Sequence, residues 1–409
     1  SDSALLDLVQ KQTFRYFWDF AHPVSGLSRE RSNADFGYGH ETVTIGGTGF
    51  GVMSVIIASE RKWISRDTAA RFLLKMVNFL LKADSYHGAF PHWMNGSTGK
   101  TFPFSRKDDG ADIVETSYLL QGLLCARQYF NHDNNTEREL RNRIQWIWEG
   151  MEWDWFTKGG EEVLYWHWSP NNGWSMNFPI RGFNECLIVY VLAASSNSNP
   201  VSDKVYHRGW AQSNFFKNGK VFYNHTLPLG FDYGGPLFFS HYSFLGLDPR
   251  GLKDQYADYW EQNSSHTLIN HDHCVNNPRQ FKGYGANCWG LTACDTYDGY
   301  DAYSPTNDGG TIAPTAALSA FPYTPEYSML ALKHFYYDLG DKLWSEYGFI
   351  DAFNESKNWY AKSHLAIDQG PIIVMIENYR SGLMWKLFMS CPEIKDGLKK
   401  LGFESPQIK

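Results

Sequence analysis

Two acids three residues apart, Asp112 and Glu115, lie in the segment Ser105-Arg106-Lys107-Asp108-Asp109-Gly110-Ala111-Asp112-Ile113-Val114-Glu115-Thr116. If this segment ends a loop and opens a helix, the two side chains share a face in its first turn. Adjacent carboxylates repel, so one pKa rises, leaving a proton donor beside a charged partner. Acids in a first turn also cap helices routinely, and the pair alone does not separate the two roles. Glu185 repeats the arrangement. Arg181-Gly182-Phe183-Asn184-Glu185 leads into an apolar run from Cys186 to Ala194, where an acid is costly unless it faces a cleft or a partner. Asp368-Gln369-Gly370-Pro371 leads into a third apolar run, which contains Glu377 with Arg380 as a candidate ion-pair partner.

Two carboxyl groups on either side of a glycosidic bond can cleave it. One donates a proton to the leaving oxygen and the other activates water or attacks carbon. Acids carried on different helices suit the wide, inverting separation better than the tight, retaining one. Aromatic residues cluster around these acids in sequence. Trp166-His167-Trp168-Ser169-Pro170 and Gly173-Trp174 precede the Glu185 turn, residues 87–93 precede the Asp112 loop, and Gly283-Tyr284-Gly285-Ala286-Asn287-Cys288-Trp289-Gly290 forms a glycine-aromatic loop. His167, Trp168, Arg181, Tyr284, Trp289, Asp368 and Glu377 are the expected substrate contacts, and Asp112, Glu115 and Glu185 the expected catalytic acids.

The whole chain shares this bias. Its 409 residues include 16 Trp, 24 Tyr and 28 Phe, yet mean hydropathy is −0.43. Trp and Tyr join a flat apolar face to a polar tip, which suits the C–H faces and hydroxyls of sugars. The net charge of −7 and the lack of a basic block argue against nucleic acid as a partner. No apolar run approaches the roughly 20 residues of a membrane span. An opening Ser1 suits a mature periplasmic or secreted chain, or a trimmed one. Cys125 and Cys186 read as buried thiols, while Cys274, Cys288 and Cys294 leave room for one disulfide. No second ligand pair joins His271, His273 and Cys274, so no metal site is expected there. Asp295, Asp298, Asp301 and Asp308 lack the calcium-loop pattern and read as a solvated loop.

The elements that must hold these residues recur. Loops carrying Gly46-Gly47, Gly110, Gly182, Gly234-Gly235, Gly309-Gly310 and Gly370 each precede an apolar segment: 50–59, 112–130, 183–195, 236–247, 311–321 and 371–378. Several are apolar on every face, as helices buried all round are. Amphipathic segments at 3–20, 65–83, 136–155, 252–268, 325–339 and 382–389 alternate with them. The pattern predicts one all-α domain over 1–409: a toroid of six helical hairpins, an (α/α)6 barrel, with a small β-hairpin insertion near 219–223. The fourth and fifth hairpins are the weakest. Inner helices would run parallel, so their N-termini, which favour carboxylates, would converge on one cleft.

These motifs, with Gln369-Gly370-Pro371 and Glu377-Asn378-Tyr379 added, span nearly the whole chain in order. On them the chain resembles the bacterial glucoamylase-like family, and within it glycoside hydrolase family 144. The resemblance implies an (α/α)6 fold and hydrolysis of β-1,2-glucans, by endo action or by exo action releasing sophorose. It implies no metal and no organic cofactor. Its important acids fall on Asp112, Glu115 and Glu185, with acid and base unassigned. A monomer acting on an oligo- or polysaccharide is expected. The competing readings are an α-glucan glucoamylase, a polysaccharide lyase and a non-catalytic sugar-binding protein.

Overall fold

The computed structural model describes residues 1–34, 37 and 39–409. Helix dominates. The first six helices are α1 (Asp2–Trp18), α2 (Ile45–Glu60), α3 (Arg66–Leu80), α4 (Ile113–Tyr129), α5 (Asn135–Glu149) and α6 (Leu187–Ser195). Seven follow: α7 (Tyr259–Asn276), α8 (Pro314–Leu318), α9 (Pro325–Lys333), α10 (Gly340–Leu343), α11 (Ala366–Arg380), α12 (Leu383–Met389) and α13 (Pro392–Lys400).

The strands are short. β1 (Thr42–Thr44), β2 (Trp93–Asn95) and β3 (Thr101–Phe102) form an antiparallel sheet in that order. β4 (Ala111–Asp112) pairs with β5 (His167–Trp168), with Asp112 opposite His167. β6 (Val221–Phe222) pairs with β7 (His225–Thr226), forming the expected hairpin insertion. β8 (Ala293–Thr296) and β9 (Gly299–Ala302) form a further hairpin.

Sequence and burial separate two layers. Ile45 to Ser59 of α2 are all buried, as are Ile113 to Ala126 of α4 and all of α6. α11 packs on α2, α2 on α4, α4 on α6, and α6 on the turn Tyr242–Phe244, while α8 packs on α11. The amphipathic helices cover them: α1 lies on α11 and α2, α3 on α2, α5 on α4, α9 on α8, and α13 on α6. One apolar cluster runs from Leu5 to Ile408.

Several boundaries differ from the sequence pattern. The fourth apolar segment is not an α-helix but two 3-10 turns, Leu237–Ser240 and Tyr242–Phe244. It is confined between Pro236 and Gly246, and Ser243 Oγ is bonded to the Glu185 carbonyl (2.7 Å) instead of to a helical neighbour. The fifth shrinks to α8, five residues opened by Pro314. α11 starts five residues before Pro371 and carries that proline inside it. α5 is capped by Asn134, whose side chain accepts the Glu137 N–H (2.9 Å). All six cysteines are free and buried, so no disulfide forms.

Glycine sets the spacing at the centre. A Cβ on Gly49 of α2 would stand 2.2 Å from the Tyr118 carbonyl oxygen of α4, and one on Gly122 of α4 would stand 2.3 Å from the Gly49 oxygen. The two backbones therefore touch with no side chain between them. Gly122→Ala should lower unfolding free energy by at least about 1–3 kcal/mol, the usual range for overpacking, because rigid backbone cannot yield as a side chain can. Urea denaturation of the two proteins measures this.

Candidate active site

The first turns of α2 and α4 meet where their backbones are closest. Gly46 N–H donates to Glu115 Oε2 at 2.7 Å. A Cβ at Gly46 would lie 2.1 Å from the same oxygen, so only glycine admits this contact. Asp112 is the N-cap of α4. Its Oδ1 accepts the Val114 and Glu115 N–H groups, both at 2.9 Å, and its Oδ2 accepts Trp166 Nε1–H at 3.3 Å. Of the two roles left open by the sequence, Asp112 takes the cap and Glu115 lines the cleft.

His92 sits against this pair. Its Nδ1 is 3.4 Å from Asp108 and 3.5 Å from Asp112, and its Nε2 is 3.5 Å from Glu115. Phe104 stacks on its ring, with centroids 4.0 Å apart and planes 5° apart. His167 lies behind, buried, accepting the Gly110 N–H on Nε2 at 3.0 Å; burial keeps this ring below the usual histidine pKa.

Glu185 occupies the turn just before α6 rather than the helix itself. Gly182 takes a left-handed φ of +79°, and the Asn184 side chain accepts the Cys186 N–H (2.9 Å). The Glu185 carbonyl accepts the Ser243 hydroxyl (2.7 Å) and the Tyr118 hydroxyl (3.3 Å), which fixes the turn against α4. Glu115 and Glu185 both line a cleft of about 630 Å³, walled by Trp93, Phe104, Trp166, Phe238, Tyr242 and Tyr300 among others.

Electrostatics differ around the two acids. Burial alone would lower the His92 pKa, but Glu115, Asp108 and Asp112 outweigh it and hold the ring up at about 9, as an imidazolium. Burial holds Glu115 above the usual carboxyl range, with Asp108 adding to it, although His92 and the Gly46 N–H pull it toward the charged form. Asp112 is pushed up to about 8 by burial and by the neighbouring acids, against the pull of His92. Glu185 has no cation beside it among the described residues, and burial pushes it up to about 7. Ligand atoms of His92, Asp108 and Asp112 lie within 4.8 Å of one another, the one such group among the described residues. A cation there would compete with the proton His92 holds.

The other expected contacts lie elsewhere. Trp289 is fully buried, its Nε1–H directed to the Tyr327 carbonyl (3.4 Å) and its ring edge-on to His271. Tyr284 donates to Asp308 (2.6 Å), which also binds His273. Arg181 is exposed and donates to the Gly209 carbonyl (3.3 Å). Trp168 packs edge-on to His87 and Trp155, so Trp166, not Trp168, faces the cleft. Asp368 is buried behind the wall, accepting the Tyr242 hydroxyl (3.3 Å). Glu377 lies at the opposite end of α11, paired with Arg61 (2.5 Å) and bonded by Gln10 and Ser381, while Arg380 pairs with Asp7. Its helix faces the cleft only at the other terminus, nine residues earlier. The acidic loop is not solvated throughout either: Asp295 is buried with Arg31 (2.8 Å) and Asp308 with His273 (2.9 Å).

His92 is the residue that sequence reasoning missed. It stands in the ring-bearing stretch before the acid loop, but nothing in the sequence separates it from His87, which instead stacks on Trp155.

The Glycoamylase family model, described as "Putative glucoamylase", matches residues 177–392. The chain is 43% identical to an exo β-1,2-glucooligosaccharide sophorohydrolase (non-reducing end) from Parabacteroides distasonis, over 98% of this chain and 58% of that protein. It thus spans somewhat over half the length of that curated relative. It is 55% identical to an endo-β-1,2-glucanase from Chitinophaga pinensis solved with sophorotriose and glucose, covering 100% of this chain and 99% of that one with a TM-score of 0.97. An endo-β-1,2-glucanase from Talaromyces funiculosus shares the fold at 13% identity, covering 98% of this chain and 88% of that one with a TM-score of 0.65.

Two expectations test the site. His92, Asp112 and Glu185 all have folded pKa values above their ordinary ones. The stability carried by His92 is full below about pH 6.5 and is lost as pH rises through about 9; the two raised carboxyls lose theirs as pH climbs from about 4 to their folded values. Melting temperature should therefore fall from mildly acidic to alkaline pH, which thermal melts across that range will measure. Glu377→Gln should lower the melting temperature, since breaking a buried ion pair costs about 3–5 kcal/mol. It should leave the His92 titration, followed by NMR, unchanged.

Proposed function

We propose that this chain, which belongs to the glucoamylase-like family, is a glycoside hydrolase that cleaves β-1,2-linked glucan. One observation carries the chemistry. Glu115 and Glu185 face one aromatic-walled cleft from two different helix starts, and among the described residues only Glu115 has a cation at its side. The substrates named for the Parabacteroides and Chitinophaga relatives support the linkage.

The roles follow from the environments. Glu185, raised to about 7 without a cation, holds a proton near neutral pH and gives it to the glycosidic oxygen. The bond from the anomeric carbon to that oxygen breaks. Glu115, between the Gly46 N–H and the His92 imidazolium, acts as carboxylate and takes a proton from the water that attacks the opposite face. Asp112 is a positioning residue: it starts α4, so it orients Glu115, and it holds Trp166 in the wall. Trp93, Trp166 and Phe238 offer apolar faces to sugar rings.

The packing supports a closed ring. The series α8, α11, α2, α4, α6 and the 3-10 turns at 237–244, each with an outer partner, matches six hairpins of an (α/α)6 toroid acting as one catalytic unit.

The deciding experiment offers β-1,2-glucan, β-1,3-glucan and starch to the purified protein. Sophorose or short β-1,2-linked oligosaccharides should appear, starch should remain intact, and NMR should find the new reducing ends in the α configuration. Glucose from starch alone would overturn the linkage. Glu185→Gln and Glu115→Gln should each lower kcat by about 10²–10⁴ while the protein still melts cooperatively and binds oligosaccharide. Near-native turnover in either variant would remove that residue from the reaction.

A further inference from the structure

Behind the cleft wall lies a second pair of acids that the mechanism above does not use. Asp351 and Asp368 are each 1% exposed. Asp351 Oδ2 accepts the Asp295 N–H at 2.7 Å. Asp368 Oδ1 accepts the Tyr242 hydroxyl at 3.3 Å. Their other oxygens, Asp351 Oδ1 and Asp368 Oδ2, are buried and find no donor among the described residues. The two carboxyls are within hydrogen-bonding reach of each other.

Two bare carboxylates in contact repel strongly in a buried place, where solvent screening is lost. The neighbouring acid cannot help. Asp295 is taken by Arg31 (2.8 and 3.2 Å) and by the Ser363 hydroxyl (2.5 Å). The other groups facing the pair are Glu30, a further acid, the phenols of Tyr16, Tyr242 and Tyr300, and the Cys294 thiol. One proton shared by the two carboxyls removes the repulsion.

We propose that Asp351 and Asp368 share one proton, and that this acid pair fixes Tyr242 in the cleft wall as a positioning device. The second half rests on the glycosidase reading; the first does not. Burial drives Asp351 well above the usual carboxyl range, while Asp368 rises to about 7. The pair therefore keeps one proton near neutral pH, while the Tyr242 hydroxyl donates to Asp368. The Tyr242 ring packs edge-on to Tyr118, with centroids 5.5 Å apart, and Tyr118 and Ser243 both bond the Glu185 carbonyl. The pair thus acts on the turn that carries Glu185 through one phenol ring.

Asp351→Asn tests the proton. Its amide N–H can donate to Asp368 but cannot be lost, whereas Asp351→Ala leaves Asp368 unpaired. The infrared difference spectrum, wild type minus Asp351→Asn, should contain a protonated-carboxyl C=O band at neutral pH. Unfolded Asp351 gives up its proton near pH 4, so wild-type stability falls as pH rises above that. The melting temperature of Asp351→Asn relative to wild type should therefore climb between about pH 5 and pH 9. With β-1,2-glucan, Asp351→Asn should keep kcat/KM within about threefold, and Asp351→Ala should raise KM about tenfold. No band and a pH-independent difference in melting temperature would overturn the shared proton. Equal losses of activity in the two variants would overturn the positioning role. The band and the melting profile are read without substrate, so they decide the first half even if no glucan is cleaved.

Discussion

Everything at the cleft depends on two helix backbones lying in contact. α2 and α4 cross where Gly49 and Gly122 leave no side chain between them. Only that spacing lets a main-chain N–H at the start of one helix reach a side-chain oxygen at the start of the other. The Gly46–Glu115 bond is the result. Two helix N-termini then stabilise the same carboxylate, and Asp112 satisfies the free N–H groups of the second. A side chain at any of these glycines would move the acid and its support together.

The charge arrangement is asymmetric in a way that gives two similar acids different surroundings. One imidazolium serves three carboxyls on the α4 side of the cleft, and Phe104 covers it from solvent. Glu185 faces the same space with main-chain and hydroxyl contacts to its turn, but with no cation near its carboxyl among the described residues. Desolvation raises both acids, and only at Glu115 do a cation and a main-chain N–H pull against it. The difference comes from neighbours brought in by separate loops, not from the acids' own helices.

Much of this was legible in the sequence, for local reasons. Asp112 and Glu115 announce a helix start by their spacing. α2, α4 and α6 announce burial by being apolar on all faces. Glu185 stands out as an acid leading into an apolar run. What stayed illegible is what tertiary packing decides. Trp289, Tyr284 and Glu377 belong to types and motifs that suit a binding site, yet they are spent on the core, on Asp308 and on Arg61. The fourth apolar segment has helical composition, but side-chain bonds from Ser243 to the Glu185 turn hold it in 3-10 form. His92 and Asp351 matter only through partners distant in sequence.

α11 joins two chemically separate neighbourhoods. Asp368 stands in its first turn, and Glu377 with Arg61 closes its far end nine residues on, about 14 Å along the axis. Groups that far apart with no common partner contribute almost additively to free energy. Evolution can therefore vary the two ends on different schedules. The cleft end is free to drift toward other ligands through its loops, while the Arg61 end keeps the helix anchored. Divergence in substrate among proteins of this architecture would then need no compensating change in the clamp on the opposite face.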